Sequence, residues 1–210
     1  MKTVIATMSL LALSVVAPSA MAATSLLDIQ HQWADCQYNQ TKDEDLQIKC
    51  LENTIALNQQ ALKAKPNDPD LLVWLGINEG TLAGVKGGLG ALSLVKDAKK
   101  QFEKVIEVAP SSLQGSAYTS LGSLYYKVPG WPVGFGDDDK AEEMLKKGLA
   151  INPNGIDSNF FYGEFLADQG RKEEALKYLN KAQQAPARPD RPLADKGRKQ
   201  DIAKVLATLK

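Results

Sequence analysis

A single histidine and two cysteines are scattered through 210 residues, and that scarcity narrows the chemistry at once. A Ser–His–Asp or Cys–His device needs an imidazole beside its partners. His31, close to the amino end, has no such company and reads as a helix-surface residue. A structural zinc site lacks ligands. The cysteines, Cys36 and Cys50, are too far apart for a CxxC redox pair. Charge of one sign is missing as well: 25 Lys and Arg stand against 25 Asp and Glu. A nucleic-acid binder would carry a basic surplus, so no nucleic-acid partner is expected, nor any strong attraction to anionic lipid. Beyond Val4 to Val16 no apolar run approaches membrane length.

Residues 1–22 read as a secretory signal peptide, with Lys2 as the charged start, Val4–Val16 as the apolar core and Ala20-Met21-Ala22 as a small-x-small cleavage site. No cysteine follows that site, which disfavours a lipid anchor. The expected product is a soluble exported protein, most simply periplasmic, with residues 23–210 as one helical-repeat domain and no integral membrane segment after cleavage. An oxidising compartment makes a Cys36–Cys50 disulfide the default. Ser25 and Asp28 are placed to cap a first helix, and Thr41-x-x-Glu44 resembles a capping box opening a second. The cysteines then flank a turn at 39–43, and closing that loop would contribute roughly 3 kcal/mol on the chain-entropy model.

What the chain has in quantity is a repeat. Three stretches share one spaced signature: Leu75-Gly76, Ala98, Phe102, Val105, Pro110; Leu121-Gly122, Ala141, Leu145, Gly148, Pro153; and Tyr162-Gly163, Ala175, Leu179, Ala182, with Pro186 one residue early. Gly and Ala let two antiparallel helices approach closely, and Pro stops the second helix because it has no N–H for the ladder. The large residue between them is expected to fill the groove made with the next repeat. The pattern resembles the tetratricopeptide repeat, a helix–turn–helix unit that must stack on a neighbour to bury its apolar face. The resemblance implies an all-α fold: a right-handed α-solenoid of about four helix pairs with a carboxy-terminal capping helix.

The first pair, roughly 25–65, is the least regular and reads as an amino-terminal cap. Asp68-Pro69 opens the second pair as N-cap and first-turn proline. Gly76 to Ala98 then takes twenty-two residues, where Gly163 to Ala175 takes twelve. The excess holds the glycine-rich string Ala83–Lys96, and the third pair carries a further insertion around Lys127–Asp137. Both fall between helix A and helix B of a pair, so they are expected to be spatial neighbours. The fourth pair, about Asp157 to Gln184, turns at Gly170. A helix from about Leu193 to Leu209 ends the chain, with Ile202, Val205, Leu206 and Leu209 on one face.

Candidate functional residues lie mainly in the two inserted strings. Lys86, Gly87, Gly88 and Gly90 have the wrong order for a phosphate-binding P-loop; the glycines fit a sharp turn or close helix contact, with an anion cradle of loop amides as the functional alternative. Trp131 and Phe135 either plug the gap between repeats or line a binding mouth. Asp137-Asp138-Asp139 offers carboxylates for a hard cation, but its place before helix B favours capping. Glu142 and Glu143 are the paired acids an enzyme reading would use. Arg188, Arg191 and Arg198, with Lys196 and Lys199, are expected to be solvated charges.

These residues point to a non-catalytic, cofactor-free adaptor. It would bind a protein or extended peptide in a concave groove, with Trp131, Phe135 and the Val85–Gly90 loop as the lip. Both inserted strings resemble those of exported bacterial proteins with tetratricopeptide-like repeats. A weaker likeness, to the periplasmic T component of TRAP-type transporters, implies the alternative: a transport accessory holding a small ligand between the inserted loops.

Overall fold

A computed structural model describes residues 24–88 and 90–209; the expected signal peptide lies outside them. Nine α-helices follow in order, with no strand among the described residues: α1 Leu26–Tyr38, α2 Glu44–Ala64, α3 Pro69–Lys86, α4 Ala91–Val108, α5 Ser116–Lys127, α6 Asp138–Ile151, α7 Ile156–Asp168, α8 Lys172–Gln183 and α9 Pro192–Thr208. They form four antiparallel pairs and a final helix, an all-α solenoid of TPR-like helix pairs.

The repeat signature has a direct packing counterpart. A Cβ built at Gly76 would lie 2.7 Å from the Phe102 ring, one at Gly122 2.7 Å from Leu145 Cγ, and one at Gly163 2.9 Å from Leu179 Cγ. Ala98, Ala141 and Ala175 are fully buried beside them. The large residue therefore seats on the glycine of its own pair; the expected seat against the following repeat is not its closest contact. Small residues on helix A exist to receive it. The helices stop at Val108, Ile151 and Gln183, each shortly before Pro110, Pro153 or Pro186.

Caps fix the starts. Ser25 and Asp28 form the expected capping box on α1. At α2 the cap is Asp43, whose carboxylate accepts from the Leu46 amide at 3.1 Å. Thr41 lies two residues too early, because it falls inside the 39–43 turn and Asp43 is the residue directly before the helix. Asp68 accepts from the amides of Asp70 and Leu71, with Pro69 at the first turn. Cys36 and Cys50 are disulfide-bonded across the α1–α2 hairpin, their Cα atoms 5.5 Å apart.

The glycine-rich excess in the second pair is mostly helix. α3 and α4 are 18 residues each, against 13 and 12 for α7 and α8. The turn between them is short and holds Gly87 and Gly88, both at positive φ. In the third pair the insertion is a true loop, residues 128–137, which contains a cis Trp131–Pro132 peptide. It is tied down by backbone bonds from Gly136 to Pro129 and from Asp137 to Tyr125. The two regions do meet: Ala83 and Val95 from the long pair share an apolar cluster with Val128, against which Phe135 packs.

Helices α1, α3, α5 and α7 each touch the next in that series, whereas the B helices contact chiefly the A helices on either side. The A helices therefore crowd on the concave side. The last helix does more than cap. α9 packs on α7 and α8, and also on α1, so the carboxy-terminal end of the solenoid meets its amino-terminal end.

Candidate binding cavity

The contact between the two ends encloses a partly open interior cavity of about 1220 Å³. Its walls are the inner faces of α3, α5 and α7, completed by residues of α1, α9 and the connector before α9. Room comes from small side chains: Gly80, Thr81 and Gly84 on α3, and Ser116, Ser120 and Ser123 on α5. Between α4 and α5 the backbone makes a left-handed turn, with φ of 46°, 56° and 77° at Leu113, Gln114 and Gly115. Two consecutive non-glycine residues in that region are strained, at roughly 1–2 kcal/mol each, and both line the cavity.

Closure rests on contacts that no repeat period encodes. Gly197 of α9 lies flat against the Tyr38 ring, with no space for a Cβ. The Tyr38 hydroxyl donates to Asp201 at 3.2 Å. Ala194 joins the apolar cluster of Ile29 and Trp33. His31, expected on a helix surface, donates from Nε2 to the Asp190 carbonyl at 2.6 Å, tying α1 to the connector.

The arginines of this region are not solvated charges. Asp157 at the start of α7 receives Arg188 at 2.7 Å and Arg198 at 2.8 Å. Arg188 also meets Asp195 at 2.6 Å. Arg198 is buried, with its guanidinium 4.5 Å from the Phe160 ring centre and 4.7 Å from that of Phe161. Burial pushes the Asp157 carboxyl up, but Arg198 and Arg188 together hold it well below the usual carboxylate range. The reason for the difference is topological: α9 returns to the ends of the solenoid and takes its charges out of water. Arg191 is the exception. Its guanidinium lies 4.9 Å over the Trp74 ring, while its buried Nε has no hydrogen-bond partner. Burial first, and Arg188 second, lower its affinity for the proton.

Lys86, Gly87, Gly88, Gly90, Trp131, Phe135 and Asp137 do not line the cavity; their sequence neighbours Gly84, Val85, Val128 and Pro129 do. Lys86 pairs with Glu52 of α2 at 2.7 Å. Gly87, Gly88 and Gly90 make the α3–α4 turn. Trp131 and Phe135 part company: Trp131 is 90% exposed, whereas Phe135 packs edge-on to Tyr125 at 5.8 Å. Asp137 caps α6, accepting from the Lys140 amide at 3.0 Å. No cluster of three metal-ligating side chains occurs among the described residues. Glu142 is pinned by Arg171 and Lys146, with Tyr162 also donating to it, which holds its carboxyl down to about 2. Glu143 pairs with Lys147 at 2.6 Å.

Trp33, Trp74 and Arg191 were not recognisable as a site. Trp74 stands directly before the Leu75-Gly76 pair of the repeat signature, and Arg191 is one of several basic residues. Their meeting depends on α9 and its connector returning to α1 and α3.

Residues 156–187, helices α7 and α8 with the start of the connector, match the tetratricopeptide repeat family model. Among solved structures the chain is similar to TTC0263, a thermophilic TPR protein of Thermus thermophilus, at 22% identity with a TM-score of 0.55, over 77% of this chain and 82% of that one. It also aligns with the MamA protein at 20% identity and a TM-score of 0.41, over 88% of this chain and 90% of that one. No curated protein matches the sequence. The likeness to the Thermus protein defines the class of fold, a TPR-like repeat.

Proposed function

We propose that this protein is a non-catalytic, exported binding scaffold that takes part of a partner, an extended peptide segment, into its interior cavity. The observation that carries the reading is the 1220 Å³ cavity lined by the inner helices of a TPR-like solenoid. It exceeds the usual range for a small-molecule pocket, about 300–1,000 Å³, and its hydroxyl-rich α5 wall offers donors and acceptors to a peptide backbone. A periplasmic location is supported by the reading of residues 1–22 and by the Cys36–Cys50 bond. The exposed Trp131, on a loop whose base packs at the cavity edge, suits a lip that a partner would cover. A non-catalytic role is supported by His31 and Glu142 being tied up in structural contacts.

The second reading, a transport accessory holding a small ligand, is favoured by the contact of α9 with α1, which encloses the interior as an open groove would not. Crosslinked pull-downs from exporting cells separate the two. Ser120→Trp puts an indole into the cavity, and Trp131→Ala removes the lip. The peptide-scaffold reading expects a protein captured by wild type, lost with Ser120→Trp and weakened with Trp131→Ala. Capture untouched by Ser120→Trp removes the interior as the site. A copurifying small molecule in native mass spectrometry, displaced by Ser120→Trp and with no captured protein, establishes the second reading.

A further inference from the structure

Within the cavity, one corner has an unmet demand for a partner. Arg188 and Arg198 each meet two carboxylates. Among the described residues no carboxylate lies within salt-bridge distance of Arg191; Asp157 and Asp195, which face it, are already engaged by its neighbours, and Asp190 acts on it only through its field. Its Nε is buried and unbonded. Such a donor is costly to keep, and the Trp74 face offsets only part of that cost. The guanidinium lies over Trp74, and its N–H groups lie in its own plane, where they match the two oxygens of a carboxylate. Trp33 stands edge-on to Trp74, ring centres 5.5 Å apart, and also lines the cavity. Both indoles are largely buried, and the parts of them that line the cavity lie beside a guanidinium with no carboxylate partner.

We infer that Arg191, Trp74 and Trp33 form a recognition site for a carboxylate carried on an apolar or aromatic group. The inference rests on the interior being the binding site. A free organic acid and the carboxyl terminus of a peptide present this same chemistry, and the test distinguishes them.

The sequence contains three tryptophans. A Trp131→Phe background therefore leaves Trp33 and Trp74 as the only indole reporters. Two probe pairs are titrated by calorimetry and indole emission: 4-phenylbutyrate against 4-phenylbutyramide, and acetyl-Ala-Ala-Phe with a free against an amidated terminus. The expected result is at least tenfold tighter binding of the carboxylate member in one or both pairs, with an emission change, and loss of that preference in Arg191→Gln. The pair that discriminates identifies the source. Where Arg191→Gln does not fold, Arg191→Lys keeps the charge but not the planar fork, and should weaken the carboxylate member several-fold. Equal binding within both pairs, a preference that survives these substitutions, or no binding by any probe overturns the inference. Adding Ser120→Trp separates the two levels. Equal binding that this variant abolishes removes the anion site and leaves the interior reading standing. Binding that survives it removes the interior reading too.

Discussion

Adding one methyl group at Gly122 should destabilise the protein, although alanine is the better helix former. On intrinsic propensity Gly→Ala inside a helix gains about 1 kcal/mol. In α5 the new Cβ would sit 2.7 Å from Leu145 Cγ, 3.0 Å from the Leu145 amide nitrogen and 3.1 Å from the Ala141 carbonyl. Carbon–carbon contacts are most favourable at about 3.5–4.0 Å. Leu145 is 1% exposed and two of the three neighbours are backbone, so α6 as a whole must retreat. Overpacking of this kind costs about 1–3 kcal/mol, leaving a net loss of up to about 2 kcal/mol. At about 2–4 °C per kcal/mol for a domain of this size, Tm should fall by up to about 8 °C. Gly84→Ala is the matched control: it is exposed, helical, and has nothing within 4 Å of a Cβ. It should gain up to about 1 kcal/mol, with Tm rising by up to about 4 °C. Urea and thermal melts of both variants decide the matter. If both variants are stabilised, the close approach of α5 and α6 is not what the glycine serves, and the packing explanation of the repeat signature fails.

Reducing the Cys36–Cys50 bond should cost about 3 kcal/mol on the loop-entropy model, read as a lower urea midpoint in the presence of dithiothreitol. The exposed tip and the plug of the α5–α6 loop should separate in the same assay: Trp131→Ala, at an exposed site, should shift stability by less than about 0.5 kcal/mol, whereas Phe135→Ala, which strips the Tyr125 contact, should cost about 2–3 kcal/mol. Glu79 lies on the α3 face between Gly76 and Ala83, where burial first and Asp97 second push its carboxyl up to about 7. An acid with a raised folded-state pKa binds its proton more tightly when folded, so stability falls as pH rises from about 4.3 to about 7. Glu79→Gln should therefore be about 3–4 kcal/mol more stable than wild type at pH 8, with the difference vanishing below about pH 4; an equal gain at both pH values contradicts the assignment.

The repeat was legible because it is a spacing rule: Gly122, Ala141 and Leu145 meet for a reason that recurs in each pair. The caps were legible where the side chain and its amide are neighbours in sequence, as at Ser25 and Asp68. Where the turn geometry intervenes, Asp43 took the place expected of Thr41. The glycine-rich string suggested a loop, yet Gly84 lies inside α3, because burial of that helix against α1, α2, α4 and α5 outweighs a propensity cost of about 1 kcal/mol for the glycine. The closing contacts were not legible at all. Tyr38 meets Gly197 and Asp201, and Arg191 meets Trp74, across most of the chain and with no period to announce them. For the same reason Arg198 looks like a surface charge in sequence and is buried in the structure.

The central claim, that partners enter the enclosed interior, is tested most directly by site-specific photocrosslinking in exporting cells. A benzophenone amino acid replaces Ser120 on the cavity wall or, in a second strain, Lys100 on the exposed outside of α4. The account predicts a discrete adduct from position 120 and none from position 100. Adducts from position 100 alone would place binding on the outer surface and contradict it.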